Sequence, residues 1–178
     1  MTDGTPVDPR TEPAFDLGEA EMLSGFLDYH RATVLMKVDG LSQAQLSRTI
    51  ASSSLTLAGL LKHLALVEDT WFTERFAGRP MPPPFDGIDR DADPDWELRT
   101  AAEDTPEWLV GRYEEACVRS RAVVAAADSL DQRAIAGRSR SGEVFTLRWI
   151  LCHMIEETAR HNGHADLLRE AIDGVTGE

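Results

Sequence analysis

Apolar side chains recur every three or four residues along most of this chain, which is the period of an α-helix that packs on one side. The pattern predicts four long helices, which span residues 18–38, 56–78, 105–127 and 146–172. Gly40, Gly78 and Gly174 follow three of these stretches, as expected where a helix ends. Thr105 and Pro106 mark the start of the third helix as a cap and a first-turn proline.

Polar connections separate the predicted helices. Residues 79–104 form a long Pro- and Asp-rich loop, which either has a function and covers another part of the molecule or is a solvated acidic excursion. At most, this loop or residues 135–145 would form a short hairpin. We therefore predict an all-α fold, a four-helix bundle with long connections and little or no strand. Residues 1–14 are expected to be a flexible arm, and residues 15–178 a single domain.

Composition and charge disfavour some classes of binding partner and indicate the cellular compartment. The formal net charge of −13 disfavours nucleic acid and anionic membrane surfaces, which Lys and Arg patches bind. The N-terminus lacks the pattern of a signal peptide, and no apolar run approaches the about 18 residues of a membrane span. Cys117 and Cys152 both fall in predicted helices, where we expect buried free thiols. These features indicate a cytoplasmic protein.

The fourth predicted helix carries four potential metal ligands on one side. At about 100° per residue, they fall within an arc of about 80°, and they are His153, Glu157, His161 and His164. Burying imidazoles and a carboxylate without partners is costly, and a bound metal ion would make the cluster favourable. The alternative is a hydrogen-bonded polar network in the core without metal.

The second predicted helix adds His63 within the apolar stretch LLKHLALV, where it is either a ligand or a core-edge histidine with one hydrogen bond. Residues four apart on a helix can bind one metal together, and the fourth helix offers the pairs His153/Glu157 and Glu157/His161, with His161/His164 less suitable. Two ligands from this helix and one from the other would leave coordination positions open, as catalytic sites do. Imidazole and carboxylate ligands suit Zn²⁺, with Ni²⁺, Fe²⁺ or Mn²⁺ as alternatives.

Two tryptophans lie near these positions in the sequence. Trp149 precedes His153 by one helical turn, and Trp71 follows His63 by eight residues. Both are candidates for the wall of a cofactor-binding pocket, although aromatic core packing is the commoner explanation for such residues.

At these residues the chain resembles the DinB/YfiT-like superfamily of metal-binding four-helix bundles. The branch it resembles has the signature RHxGHxDxLRE in its fourth helix, here Arg160 to Glu170. Other segments that fit this branch are Tyr29-x-Arg31, Lys37-x-x-Gly40-Leu41-Ser42, Gly59-Leu60-x-x-His63-Leu64, Glu68-x-x-Trp71-Phe72 and Leu147-Arg148-Trp149-Ile150. The likeness covers most of the chain apart from the N-terminal arm and the 79–104 loop.

The resemblance implies a particular ligand set. In the superfamily one ligand comes from the second helix and two come from the fourth, which here gives His63, Glu157 and His161. His153 then lies one turn earlier, behind the ligands or in the pocket, and His164 is a pocket donor or a packing residue. We take His153 and His164 as the candidate catalytic residues.

The resemblance also implies a chemistry. Similar proteins include mycothiol-dependent maleylpyruvate isomerase and thiol S-transferases that use mycothiol or bacillithiol, in which the metal holds the thiol as a thiolate that attacks an electrophilic carbon. We therefore expect a divalent-metal-dependent S-transferase or isomerase that acts on small electrophiles in detoxification, as a homodimer. The alternatives are a non-catalytic metal-binding stress protein and a hydrolase that uses metal-bound hydroxide, with His153, Glu156 or His164 as acid or base.

Overall fold

A computed structural model describes residue 8 and residues 10–50, 53–89 and 91–176 of the chain. Its six α-helices are α1 (Glu19–Val38), α2 (Gln43–Leu46), α3 (Leu57–Glu68), α4 (Trp96–Thr100), α5 (Pro106–Ala125) and α6 (Leu147–Asp173). A π-helix, Asp69–Phe76, continues α3, and short 3₁₀ turns form at Phe85–Gly87 and Ala101–Glu103. Within the described ranges there is no strand, only an isolated antiparallel bridge between Arg133 and Thr146. The predicted all-α fold is confirmed.

The four predicted long helices are α1, α3 with its π-helical continuation, α5 and α6, and together they form the bundle. Helix α1 packs along α6 and α3 packs along α5, while α3 also contacts α1 and α6. Leu61, Leu64 and Leu109 belong to a core cluster around α3 and α5. Phe72 and Met154 belong to a second cluster, which joins the π-helix to the first half of α6. No helix in the described part of the chain combines the length and the apolarity that a membrane crossing requires.

Threonine caps fix where the three later long helices begin. The hydroxyl oxygen at each N-cap accepts a hydrogen bond from the backbone N–H three residues on, in the pairs Thr56–Gly59, Thr105–Trp108 and Thr146–Trp149. Such a cap stabilises a helix by about 1 kcal/mol. At the other end of α6, Gly174 adopts a left-handed φ of 79°, a conformation that glycine reaches without a Cβ clash. The predicted helix boundaries therefore agree with the structure to within a few residues.

Ion pairs with at least one buried side chain join sequence segments that are far apart in the chain. The Arg31 guanidinium makes two hydrogen bonds to the Glu68 carboxylate, at 2.7 and 2.6 Å, and both side chains are buried. The Lys37 ammonium lies 2.7 Å from Asp166 Oδ1, and Arg169 donates to the Lys37 carbonyl. These pairs fasten α1 to the end of α3 and to the second half of α6. Part of the signature on α6 therefore serves helix docking.

The end of α3 departs from the regular α-helix that the sequence pattern predicted over residues 56–78. From Asp69 to Phe76 the backbone is a π-helix, in which the wider turn shifts the side chains relative to an α-helix. Asp69 is fully buried, accepts two hydrogen bonds from Arg119 at 2.8 and 2.7 Å, and accepts another from Thr73. The shifted turn places Trp71 against α6.

The structure bears on three further predictions, which concern the 79–104 segment, a short hairpin and the two cysteines. The 79–104 segment is not a plain loop, because Trp96 and Glu97 pack onto α3 and the chain there forms α4 and two 3₁₀ turns. No hairpin strands form in residues 79–89, 91–104 or 135–145. Cys117 is a buried free thiol as predicted, but Cys152 is an exposed one, because it lies on the side of α6 that faces away from the core.

The predicted N-terminal arm falls largely outside the described residues, since residues 1–7 and residue 9 are not among them. The part of the arm that is described follows the first turns of α1. The Arg10 guanidinium carbon lies 5.1 Å from the centre of the Tyr29 ring, and Pro13 packs against Gly25.

Candidate metal centre

The side chains of His63, Glu157 and His161 converge between α3 and α6. One ligand atom from each lies within 4.8 Å of the other two. Glu157 Oε1 is central, since it lies 3.3 Å from His63 Nε2 and 3.2 Å from His161 Nε2. The sequence placed Glu157 and His161 on one face because they are four residues apart on a helix, and the packing of α3 on α6 brings His63 to the same point.

The chemistry and spacing of these three donors fit a divalent cation. Ligand atoms about 2.0–2.1 Å from a tetrahedral zinc ion lie about 3.3 Å from one another, close to the two distances that involve Glu157. All three side chains are partly exposed, at 24% for His63, 21% for Glu157 and 15% for His161. The group is therefore reachable from solvent, as a site that admits a substrate must be.

Hydrogen bonds and charges within the site shift the pKa values of His63 and Glu157. Burial lowers the pKa of His63, but the hydrogen bonds to Glu157 and Glu97 and the charges of these two carboxylates outweigh it and raise the pKa to about 9. Hydrogen bonds from His161 and His63 hold the pKa of Glu157 well below its usual range. Without metal, an imidazolium–carboxylate network therefore occupies the positions at which a cation would bind.

Glu97 is a member of this site that the sequence analysis missed. Its Oε1 lies 2.8 Å from His63 Nδ1, on the side of the ring opposite to Glu157, and the residue is 5% exposed. Glu97 belongs to α4, in the middle of the 79–104 segment. This segment contains many acidic residues, so its sequence did not distinguish Glu97 from solvated carboxylates. The available signal was the stretch WELRT, in which apolar Trp96 and Leu98 flank the carboxylate in an otherwise polar segment.

His164 lies behind the triad. Its Nδ1 is 3.4 Å from His161 Nδ1, on the side of that ring away from Glu157. Burial and the positive charges of His161 and Arg160 lower the pKa of His164. A neutral His164 can accept a hydrogen bond from an Nδ1–H of His161, which leaves the Nε2 of His161 directed at Glu157.

His153 contacts an aromatic cluster next to the triad and is not among the described residues whose ligand atoms converge there. Its ring stacks on Trp149 with centroids 5.0 Å apart, and its centroid lies 4.6 Å from that of Trp71. The Arg75 guanidinium carbon lies 4.2 Å from the Trp71 ring centre. Trp71 is buried, whereas Trp149 is 46% exposed. The predicted four-residue face of α6 is therefore divided between a metal-type cluster and an aromatic cluster.

A family model described as mycothiol-S-transferase matches residues 22–174. The chain belongs to this family. The mycothiol S-transferase match spans α1 to α6, so every residue of the candidate site lies inside it. It agrees with the resemblance to the DinB/YfiT-like superfamily, and a search of curated proteins found no match.

The raised pKa of His63 predicts how metal affinity depends on pH. A metal that binds Nε2 must displace the proton there, so Zn²⁺ affinity should rise about tenfold per pH unit as the pH approaches about 9. Competition titrations with a chelating dye between pH 6.5 and 9 would measure it. An affinity that stays constant over this range would contradict the assignment of His63.

The stability of the metal-free protein should depend on pH in a related way. The pKa of His63 in the folded protein lies above its ordinary 6.5. The stability that protonated His63 adds to the folded state is therefore complete below pH 6.5 and is lost as the pH rises through about 9. The folded pKa of Glu157 lies below its ordinary 4.5, so its contribution is present above pH 4.5 and is lost as the pH falls. The network therefore stabilises the metal-free protein most between about pH 4.5 and 6.5.

Proposed function

We propose that this member of the mycothiol S-transferase family is a divalent-metal-dependent enzyme that transfers mycothiol to small electrophiles, or isomerises them with its help. The observation that carries the proposal is the solvent-reachable group of His63, Glu157 and His161 within the family match. A divalent metal bound there, with Zn²⁺ the first choice of this donor set, would supply the acidity that keeps the thiol as a nucleophilic thiolate.

The number of converging ligands favours an enzyme over a metal-storing or structural protein. Among the described residues, the group consists of three side chains, and neither His153 nor His164 belongs to it. A closed structural site would have a fourth protein ligand, whereas three protein ligands leave a position for the sulfur of a substrate. The same vacancy would suit water in a hydrolase, and the family match favours the thiol.

The side chains around the reacting atoms would have different roles in the reaction. We infer that Glu157, which lies between both imidazoles, holds the ligand set together by its charge. His153 is the neighbouring imidazole that can take the proton of the incoming thiol. Sulfur then forms a bond to the electrophilic carbon, and the leaving group departs with the electron pair of the broken bond. His164 acts through His161, which it orients, rather than on the substrate.

The aromatic cluster beside the triad would receive the organic part of the substrates. Trp149 is half exposed and its ring lies 5.3 Å from that of Trp71 and 4.7 Å from that of Phe145. Flat aromatic faces exclude water and hold apolar or sugar-like groups without requiring charge. Trp71 and Trp149 are therefore our candidates for the residues that bind the thiol cofactor or the electrophile.

The proposed activity can be tested with the metal-stripped protein. Mycothiol consumption with a fluorogenic bimane electrophile should fall at least about 100-fold after chelation and recover when one equivalent of Zn²⁺ is added, because the bound metal would supply the acidity that keeps the thiol as a thiolate. Free cysteine in place of mycothiol serves as the control for thiol specificity. If metal-loaded and metal-free proteins react at the same rate, the transferase assignment is wrong while metal binding can still stand.

We further propose that the protein works as a cytoplasmic homodimer in the detoxification of electrophiles. Both cysteines are free thiols, which suits a reducing compartment. Several large apolar side chains on the long helices are exposed, including Phe26 at 45% and Leu167 at 60%, and a second copy could cover them. Light scattering at micromolar concentration would measure the mass of the particle.

A further inference from the structure

A carboxylate outside the triad contacts one of its imidazoles directly. Glu97 Oε1 lies 2.8 Å from His63 Nδ1, and the Glu97 residue is 5% exposed, so water does not compete for this bond. The two residues are 34 positions apart in the sequence and belong to different elements, α4 and α3. This contact is therefore a feature of how the 79–104 segment docks on the bundle.

Lys62, the residue next to His63, holds this segment on α3 through its side-chain contacts. The Lys62 ammonium, with the residue 3% exposed, donates to Thr100 Oγ1 at 2.8 Å and to Asp104 Oδ2 at 2.6 Å. It also lies 4.3 Å from the centre of the Trp96 ring. Consecutive residues of α3 thus bind the same short stretch of chain, which holds Glu97 in a defined position.

Gly59 allows the close approach that this docking requires. A Cβ at position 59 would lie 3.3 Å from Leu98 Cδ2, which is tighter than ordinary packing, and 3.5 Å from Leu98 Cα. The segment 96–104 therefore packs directly on the first two turns of α3, next to the candidate metal centre.

The bond between Glu97 and His63 determines which ring nitrogen faces the ligands. An ionised carboxylate only accepts hydrogen bonds, so this bond requires the proton on Nδ1. A neutral imidazole with Nδ1–H has its lone pair on Nε2, and Nε2 is the atom 3.3 Å from Glu157. The negative charge of Glu97 also makes the ring a stronger donor to a cation. By contrast, the corresponding nitrogen of His161 faces a second imidazole, that of His164.

We propose that Glu97 is a positioning residue for the metal centre, and that docking of the 96–104 segment and metal binding stabilise each other. The inference rests on the proposed metal-dependent function, because it assumes that His63 is a ligand. Linkage requires the effect to be reciprocal: whatever the segment adds to metal affinity, bound metal adds to the stability of the docked segment.

Variants at position 97 test the first half of the proposal. Glu97→Leu should weaken Zn²⁺ binding by about 10–100-fold, the range for loss of an outer partner of a ligating histidine. Glu97→Gln keeps the shape and an accepting oxygen but loses the charge, so its loss should be smaller. Glu103→Gln removes an exposed carboxylate from the same segment and is the matched control, with affinity expected to be unchanged. Competition with a chelating dye measures all three.

Two readouts separate positioning from a general loss of structure. In the Co²⁺-substituted protein, the visible absorption bands should shift in Glu97→Gln and not in Glu103→Gln, since only the former alters a ligand's partner. Zn²⁺ should slow proteolytic cleavage within residues 79–104 of the wild-type chain and have a smaller effect in Glu97→Leu.

The outcomes distinguish this inference from the proposed function. If the wild-type chain binds no metal, the proposed function fails and this inference fails with it. If the wild-type chain binds Zn²⁺ and Glu97→Gln binds it equally tightly with the same Co²⁺ spectrum, the positioning role alone is overturned. The near-isosteric Gln variant gives this answer even if Glu97→Leu does not fold.

Discussion

Glu157→Gln should remove metal binding from this protein almost completely. Glu157 Oε1 lies 3.2–3.3 Å from the Nε2 atoms of both His161 and His63, so its loss deprives the site of a ligand and of the charge that draws the imidazoles together. The loss of affinity should exceed the about 10–100-fold that an outer partner contributes.

The neighbouring residue provides the matched control. Glu156 is an exposed carboxylate on the same helix, with a side chain that is 69% exposed, and Glu156→Gln makes the same chemical change one residue away. Metal content by elemental analysis should collapse in Glu157→Gln and persist in Glu156→Gln, and mycothiol turnover should collapse in Glu157→Gln. His161→Ala should behave like Glu157→Gln. Equal metal in all three variants and the wild type would mean that the ion binds elsewhere.

Glu68→Leu should give the largest loss of stability among single substitutions in the buried ion pairs. It would leave the Arg31 guanidinium, which is 4% exposed, without the buried carboxylate that now accepts two of its hydrogen bonds, and only the partly exposed Asp28 would still pair with it. Breaking a buried pair in this way costs about 3–5 kcal/mol. The free energy of unfolding from urea titrations of the metal-free proteins would measure the change.

A double variant and a surface variant make this prediction specific. Arg31→Met combined with Glu68→Leu removes both charges, so it should recover most of the lost stability. Arg112→Gln breaks an exposed ion pair with Glu115 and should cost less than about 1 kcal/mol. If the double variant is as unstable as Glu68→Leu alone, the defect comes from packing and not from the buried charge of Arg31.

The pair of Arg31 and Glu68 also explains two of the sequence segments that carried the family resemblance. Tyr29-x-Arg31 and Glu68-x-x-Trp71-Phe72 are separated in the chain, but they meet through this ion pair, and the Arg31 guanidinium carbon lies 5.9 Å from the centre of the Phe72 ring. The resemblance thus includes residues that hold the bundle together as well as residues that surround the candidate metal centre.

The sequence by itself determined the features that depend on a single helix. Capping threonines, terminal glycines and the helical period located the four long helices, because each of these signals acts within a few residues of itself. The four-residue spacing of Glu157 and His161 placed them on one face for the same reason. The resemblance then added His63, which helical spacing alone left open.

Only the tertiary structure decided which groups from different helices meet. His63 and Glu157 are 94 residues apart in the chain, and their 3.3 Å approach depends on how α3 packs on α6. The π-helical turn that brings Trp71 to His153 is held by Asp69 and Arg119, and the exposure of Cys152 follows from the rotation of α6. Glu97 reaches His63 because the 96–104 segment folds back onto α3. Such contacts arise from packing between elements, and residue order along the chain does not encode them locally.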